Sequence, residues 1–334
     1  MAKKEKDKTK TLEDSGISSQ TVKKLRDSGY RDLESCGLTS PNKIAEQSGV
    51  SKETALKVFD AAYKEFEMGK FKTGTQVEET QLERRTITTG VKALDEILGG
   101  KGVRAGEISG FSGKYGSAKT QSVFQITVNS MLPLEKGGLG GDTKVIFFDS
   151  EHTFSAYRIK QIAIAKGLDP DKVISNIFYM RVYNSLHQAR SLNEAWKLFD
   201  DNNIGLVVVD SLIANFRADY IGRSQLAERQ ALLNKYIHEL LRMAMSKNIP
   251  VVVTNQVMDR PDVMFGDPTV MVGGNVVGHA LNPNIMLRRG KLDIRFAKVK
   301  DASDLPESEA AFRVTDNGLE EYVEKEKEKE EKEE

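Results

Sequence analysis

Hydrophobic and polar positions divide the chain into regimes of different period. From Thr11 to Phe66 apolar residues recur at short helical spacing: Val22, Leu25 and Tyr30 follow Ser15-Gly16-Ile17, and Ala55, Leu56, Val58 and Phe59 follow Ser48-Gly49-Val50-Ser51. Ser51 has N-cap chemistry and Glu53 falls in the first turn after it. The pattern predicts a small all-α domain over residues 11–66, its helices meeting at tight x-Gly-[Ile/Val] turns. Residues 67–85 are mostly polar, with Gly69, Gly74 and one aromatic, Phe71, and read as a linker. Beyond Arg85 the period changes. Apolar runs at Ile108–Gly110, Val145–Phe148, Ile177–Val182, Leu206–Val209 and Val251–Thr254 predict strands, separated by helices beginning near Lys119, Thr153, Ser185 and Gln225. Continuous Val, Ile and Phe runs between helices imply a mainly parallel sheet buried on both faces, an α/β core over residues 86–319. Leu292 to Val299 alternates after Arg289-Gly290 and predicts an antiparallel hairpin at the sheet edge. Residues 1–10 read as a disordered start and residues 320–334 as a charged Glu/Lys tail.

Composition narrows the setting. The 334 residues suggest about two domains, and Lys+Arg balances Asp+Glu at 49 each. With no net field, any nucleic-acid contact has to come from local patches. Cys36 is the only cysteine, which excludes an internal disulfide and a cysteine-based metal site. No run approaches the roughly 18 apolar residues of a membrane span, and the charged start MAKKEKDKTK lacks a signal-peptide core. An intracellular, cytoplasmic protein without a membrane partner is expected.

The richest stretch is Glu107 to Gln121, EISGFSGKYGSAKTQ, an apolar strand breaking into a glycine-rich turn and then a helix. This is the layout of a phosphate cradle. Small residues in Gly113-Lys114-Tyr115-Gly116-Ser117-Ala118 let successive backbone N–H groups face a polyphosphate, Lys119 reaches the outer phosphates, and Thr120 offers a hydroxyl to magnesium. Ala118 stands where a last glycine is expected; its methyl crowds the approach of phosphate and disfavours positive φ. A glycine-rich turn with an incidental lysine is the alternative.

In such sheets, polar residues at the carboxyl ends of strands line the ligand crevice. Gly205 to Asp210-Ser211 ends in a carboxylate suited to ordering magnesium, the alternative being a loop cap. Val145 to Asp149-Ser-Glu151-His152 ends in two carboxylates; one can hold the loop while Glu151 polarises a water for in-line attack on a γ-phosphate. Gln256, closing the strand from Val251, can hydrogen-bond both γ-phosphate and water and report on them to the segment that follows. That segment, residues 257–275, is rich in Gly and Pro, yet contains Met258, Val263, Met264, Phe265, Val270 and Met271. Exposed apolar residues in a long loop suggest a partner. After Asp210, Arg217, Tyr220, Arg223 and Arg229 interleave cations with an aromatic, which suits single-stranded DNA. A solvated helix face would explain the arginines alone.

Together these residues resemble the RecA-like strand-exchange recombinases, in the archaeal RadA and eukaryotic-type branch. The motifs are Asp149-Ser-Glu-His-Thr-Phe154, Val209-Asp-Ser211, Asp219 to Gln230, Val253-Thr-Asn-Gln-Val257, Phe265-Gly-Asp-Pro268, Gly273-Gly274 and Asp301 to Glu307, in family order over residues 85–320. The resemblance implies a RecA-like P-loop ATPase core behind a helix-hairpin-helix domain, which lays backbone amides on DNA phosphates; a helical bundle that merely packs is the alternative. It also implies DNA-dependent ATP hydrolysis with magnesium at subunit interfaces, a filament or ring of identical subunits, and strand exchange between single- and double-stranded DNA in repair. Carried over, Lys119 and Thr120 hold phosphate and magnesium, Asp210 orders magnesium through water, Glu151 positions the attacking water, Gln256 senses the γ-phosphate, and Arg158 packs on adenine. The first DNA loop corresponds to Tyr220, Arg223 and Arg229, and the second to residues 258–275, with Met258, Arg260, Met264, Phe265, Gly273 and Gly274. His279 corresponds to a residue facing the neighbour's γ-phosphate, and Asp301 to Glu307, with Pro306, to a segment covering the neighbour's adenine.

Phe71 matches the aromatic of the linker motif Phe-x-x-Ala, which docks on the adjacent core; here it reads Phe71-Lys-Thr-Gly74, and the missing methyl removes about 0.8 kcal/mol of burial. Lys114, Tyr115 and Ala118 replace the family's Glu, Phe and Gly, Ser155 stands at a common Arg, and Lys101 reads as an insertion. Lys114 adds positive charge beside the polyphosphate, while Ala118 opposes nucleotide binding. These departures leave a second reading open, a non-catalytic paralogue that binds ATP and recombinase as a mediator.

Overall fold

The computed structural model describes residues 12–13, 16–30, 32–66, 68–222, 224–259 and 269–323. Four helices come first: α1 Ser19–Asp27, α2 Leu33–Gly37, α3 Pro41–Ser48 and α4 Lys52–Glu65. Ser51 caps α4 as its chemistry predicts, its hydroxyl accepting the Thr54 N–H at 3.1 Å. Gly49 ends α3 at φ +64°, the left-handed value that lets the chain reverse into α4. Leu25, Tyr30, Leu33, Ile44, Val58 and Ala62 form a small core of their own.

The stretch expected to be a plain linker contains a helix, α5 Gly74–Leu82. Thr73 and Gln76 close a capping box around its first turn, so Gly74 occupies the first helical position. None of its residues is buried. Local capping, without any packing, stabilises this helix, which is why its apolar pattern gives no signal.

The α/β core continues with β1 Thr86–Ile87, α6 Lys92–Ile97, β2 Val103–Arg104, β3 Ile108–Gly113, α7 Lys119–Asn129, β4 Lys144–Asp149, α8 Ala156–Ala165, α9 Pro170–Ser175, β5 Ile177–Arg181 and α10 Ser185–Asp201. It then runs through β6 Ile204–Asp210, α11 Ala214–Asp219, α12 Leu226–Lys247, β7 Val251–Asp259, β8 Thr269–Met271, α13 Gly274–Gly278, β9 Asn284–Arg289, β10 Ile294–Asp301, β11 Glu309–Thr315 and β12 Gly318–Glu321. Among the described residues one ten-stranded sheet dominates, ordered β12-β11-β10-β9-β3-β7-β6-β4-β5 with β8 paired to β7. Strands from β9 to β5 along this order are parallel, and β10, β11 and β12 extend the sheet antiparallel.

Period-two alternation assigns the two faces. Val145, Phe147, Leu206, Val208 and Val252 join one core with α7 and α8; Ile146, Phe148, Val207, Val209, Val251 and Val253 join the other with α10 and α12. The expected edge hairpin is present as β9–β10, but it lies inside the sheet because β11 and β12 add beyond it. β12 reaches Glu321, two residues into the stretch assigned to the charged tail. The helix expected near Thr153 begins at Ala156, capped by Ser155, whose hydroxyl accepts the Arg158 N–H at 3.2 Å.

The helical unit meets the core at one buried cation. The Arg242 guanidinium lies between the rings of Tyr30 and Trp196, 4.9 and 4.7 Å from their centroids, bonded to Glu239 and to the Ser35 carbonyl. Lys247 pairs with Asp32 at 2.5 Å beside it.

Candidate functional site

β3 lies mid-sheet, and its carboxyl end delivers the glycine-rich turn. Gly113 has no room for a side chain: a Cβ there would sit 2.4 Å from both the Leu287 carbonyl oxygen and Ser117 Oγ. The turn closes through Gly116 at φ +74° and Ala118 at φ +79°, after which α7 starts at Lys119 as expected. Ala118 therefore adopts the left-handed backbone that its methyl disfavours. Lys119 Nζ donates to the carbonyls of Gly113 at 2.9 Å and Lys114 at 3.1 Å. Burial lowers its pKa, while Glu151 and Asp210 oppose the shift. Among the described residues Ser117 Oγ is buried without a hydrogen-bond partner, and it sits in a turn opening on a helix N-terminus. An orphaned donor and free terminal amides are what a bound phosphate would satisfy.

β4 and β6 pair in parallel with Asp149 opposite Asp210, so the two carboxylates are neighbours by register. Their surroundings separate their roles. Asp149 accepts the backbone N–H groups of Glu151, Thr153 and Phe154 at 3.1–3.2 Å and the Tyr179 hydroxyl at 3.2 Å, folding the loop that follows. Asp210 is buried and accepts three hydroxyls: Thr120 at 2.8 Å, Thr153 at 3.3 Å, and Thr254. Burial raises its pKa, with the Thr254 and Thr120 hydrogen bonds opposing. A buried carboxylate beside the Thr120 hydroxyl is an oxygen donor pair that fits magnesium.

Glu151 Oε1 accepts the Ser211 hydroxyl at 2.7 Å and Gln256 Nε2 at 2.8 Å. Three strand ends thus converge on one oxygen. Gln256 stands opposite Gly113 in the β3–β7 register, and its backbone carbonyl accepts the Val272 N–H at 3.0 Å. Asn255 Nδ2 donates to the Val272 carbonyl at 2.9 Å. β7 then runs on to Asp259 and pairs with β8, bracketing residues 260–268.

Lys114 does not simply add charge over the turn. Its amine lies 2.7 Å from Asp259, so an acidic side chain meets the replacement lysine. Tyr115 is fully exposed. Arg158 sits beyond the turn, donating to Gln121 Oε1 at 2.8 Å and to the carbonyls of Thr315 and Asp316. These residues line an open cavity at the mouth of α7.

Of the expected DNA residues, Arg217 is exposed at the end of α11, Tyr220 is half-buried, and Arg229 lies on the first turn of α12. Gln230, next in α12, donates to the Gly273 carbonyl at 3.0 Å, joining the first loop's helix to the end of the second. Gly273 and Gly274 have φ of +108° and +64°. Met258 is exposed on β7. Arg223, Arg260, Met264 and Phe265 lie outside the described residues. His279 is exposed and lines an apolar cavity with His238 and Leu241; Asp301 and Pro306 are exposed around the β10–β11 connection. Phe71 is fully exposed.

Sequence reasoning missed Ser211, Thr153 and Thr254. Hydroxyls beside the carboxylates were visible, but only the folded sheet and the loop after β4 bring Thr153 and Thr254 to Asp210 and Ser211 to Glu151.

The family model described as Rad51 matches residues 81–322. The chain is similar to proteins named "DNA repair and recombination protein RadA" from two archaea. That of Ignicoccus hospitalis is 42% identical over 322 residues, covering 96% of this chain and 98% of the relative. That of Aeropyrum pernix is 41% identical over 304 residues, covering 91% and 94%. The match spans the sheet, the phosphate turn and both loops, and the chain belongs to the Rad51 family.

Proposed function

We propose that this chain is an ATP-dependent DNA recombinase, which assembles on single-stranded DNA and pairs it with homologous double-stranded DNA during repair. The observation that carries the reading is the Gln256–Glu151 hydrogen bond at 2.8 Å. It brings the proposed water-activating carboxylate into contact with the proposed γ-phosphate sensor, and the latter lies on β7, the strand that precedes the proposed second DNA loop.

The residues divide the work. The backbone of residues 113–118 cradles the triphosphate, Lys119 leaves its two loop carbonyls to pair with the outer phosphates, and Gln121 and Arg158 border adenine. Thr120 and, through water, Asp210 would hold magnesium, which when bound neutralises phosphate charge. Glu151 takes up a proton from the attacking water. Gln256 exchanges its bond to Glu151 for one to the γ-phosphate, and the change passes along β7 to residues 258–275. Arg217, Tyr220, Arg223 and Arg229, with Met258, Arg260, Met264, Phe265, Gly273 and Gly274, contact DNA, and the helix-hairpin-helix formed by α3 and α4 adds backbone contacts. Subunits join when Phe71 docks on a neighbour. The exposed β5 edge offers an apolar crevice lined by Ile146, Phe148, Phe178, Met180 and Leu198 to receive it. His279, Asp301 and Pro306 then face the neighbour's nucleotide.

ATP hydrolysis with and without single-stranded DNA tests this. Turnover stimulated by DNA, abolished by Lys119→Ala and by Glu151→Gln while the latter still binds ATP, is the expected result. The strained Ala118 favours the mediator reading, which takes first place if ATP binds and DNA never stimulates turnover.

A further inference from the structure

The connection from β10 to β11 carries Asp301 to Glu307; Ala302 and Leu305 pack against the core, and two polar anchors hold the residues between them. Asn282 accepts the Ser303 N–H at 3.1 Å and donates to its hydroxyl at 3.0 Å. Arg104 forms a fork on Asp304, Nη1 to Oδ2 at 2.5 Å and Nη2 to Oδ1 at 3.1 Å. The same guanidinium donates through Nε to Glu107 at 3.2 Å, and the other Glu107 oxygen accepts from Arg84 at 2.5 Å. Four charged groups therefore run in a line from the end of the linker to the β10–β11 connection.

The Arg104 and Glu107 side chains are only 17% and 13% exposed, so that pair is not a solvent-screened surface pair, while Asp304 at its outer end is half exposed. Burial pushes the Glu107 carboxyl up, while Arg104 and Arg84 counter it; the hydrogen bond from Arg104 holds Asp304 below its ordinary range. The β10 and β11 ladder already fixes the ends of the connection. What the fork adds is the direction in which the exposed middle projects. Only a guanidinium serves two carboxylates in this planar way.

We propose that Arg104 is a positioning residue for the nucleotide site of the adjacent subunit: it fixes residues 301–307 where they cover the neighbour's ATP, and through Glu107 and Arg84 ties them to the linker that docks subunits. The inference rests on the recombinase reading given above.

The test is steady-state ATP hydrolysis by the full chain on single-stranded DNA. Arg104→Gln should raise KM for ATP about tenfold with kcat changed less than about threefold, because a loosened cover weakens binding before chemistry. Asp304→Asn should do the same, and the double variant should be no worse than either alone. A one-to-one mixture of Arg104→Gln with Glu151→Gln should bring KM back toward wild type, since the second subunit presents an intact cover to the first. An unchanged KM in both single variants overturns the proposal, as does a raised KM that mixing leaves in place, which would put the effect within one subunit. If Arg104→Gln does not fold, Asp304→Asn, whose side chain is half exposed, decides by the same mixture. A wild-type chain lacking DNA-stimulated turnover would instead remove the recombinase reading, and this proposal with it.

Discussion

Replacing Ala118 by glycine probes the phosphate turn directly. Ala118 holds φ +79° and ψ +19° while its carbonyl accepts both the Ser122 N–H at 2.9 Å and the Ser122 hydroxyl at 3.0 Å, so the helix start fixes it there. A left-handed backbone costs an L-residue about 1–2 kcal/mol. Glycine removes that cost, but its freer unfolded chain returns about 0.5–1 kcal/mol. The lost methyl, only partly buried against the core, returns at most about 0.8 kcal/mol more. Ala118→Gly should therefore leave stability within about 1 kcal/mol of wild type, whereas Ala118→Val, β-branched at positive φ, should lose about 2–3 kcal/mol. Urea unfolding of the nucleotide-free chain measures both. Because the two Ser122 hydrogen bonds hold the left-handed turn from within the chain, ADP affinity of the glycine variant should change by no more than a few-fold. A gain in ADP affinity above about tenfold, with Gly and Val variants equally stable, would mean the turn forms only on binding, and the reasoning would fail.

Other outcomes follow from burial. Arg242→Ala strips Glu239 of its main partner and should cost about 3 kcal/mol. Burial pushes Glu239 up, yet Arg242, Lys43 and Trp196 outweigh it and hold the carboxyl below its ordinary 4.5. Its stabilisation is present above that value and lost as pH falls through the lower folded pKa; without Arg242 burial prevails, and the variant's thermal deficit should shrink from pH 7 toward pH 4.5. A deficit constant over that range would contradict the assignment. Cys36, buried and pushed up to about 12, should resist a disulfide reagent at pH 8 in the native chain and react once urea unfolds it; rapid native labelling would be the contrary result. Phe71→Ala should weaken self-assembly about 100-fold by light scattering, as loss of about 3 kcal/mol of docking predicts, with ATP binding to single subunits retained.

The sequence alone determined the elements with strong local signals. Five strands, the helix start at Lys119 and the Ser51 cap were legible because apolar period and capping chemistry act over a few residues. So was the chemistry of the strand ends, since apolar runs stop at Asp149, Asp210 and Gln256 wherever the chain leaves the buried sheet. α5 escaped because it buries nothing, β12 because it is a four-residue edge strand, and β11 because Glu309 to Thr315 mixes charged and small residues instead of forming an apolar run. Tertiary structure decided which groups meet. Register in a parallel sheet, set by side-chain packing on two faces, puts Asp149 beside Asp210 and Gly113 beside Gln256 across more than sixty and a hundred residues of chain. It also turns Lys114 toward Asp259 and Arg104 toward Asp304, pairings between charges about 145 and 200 residues apart that no local pattern encodes.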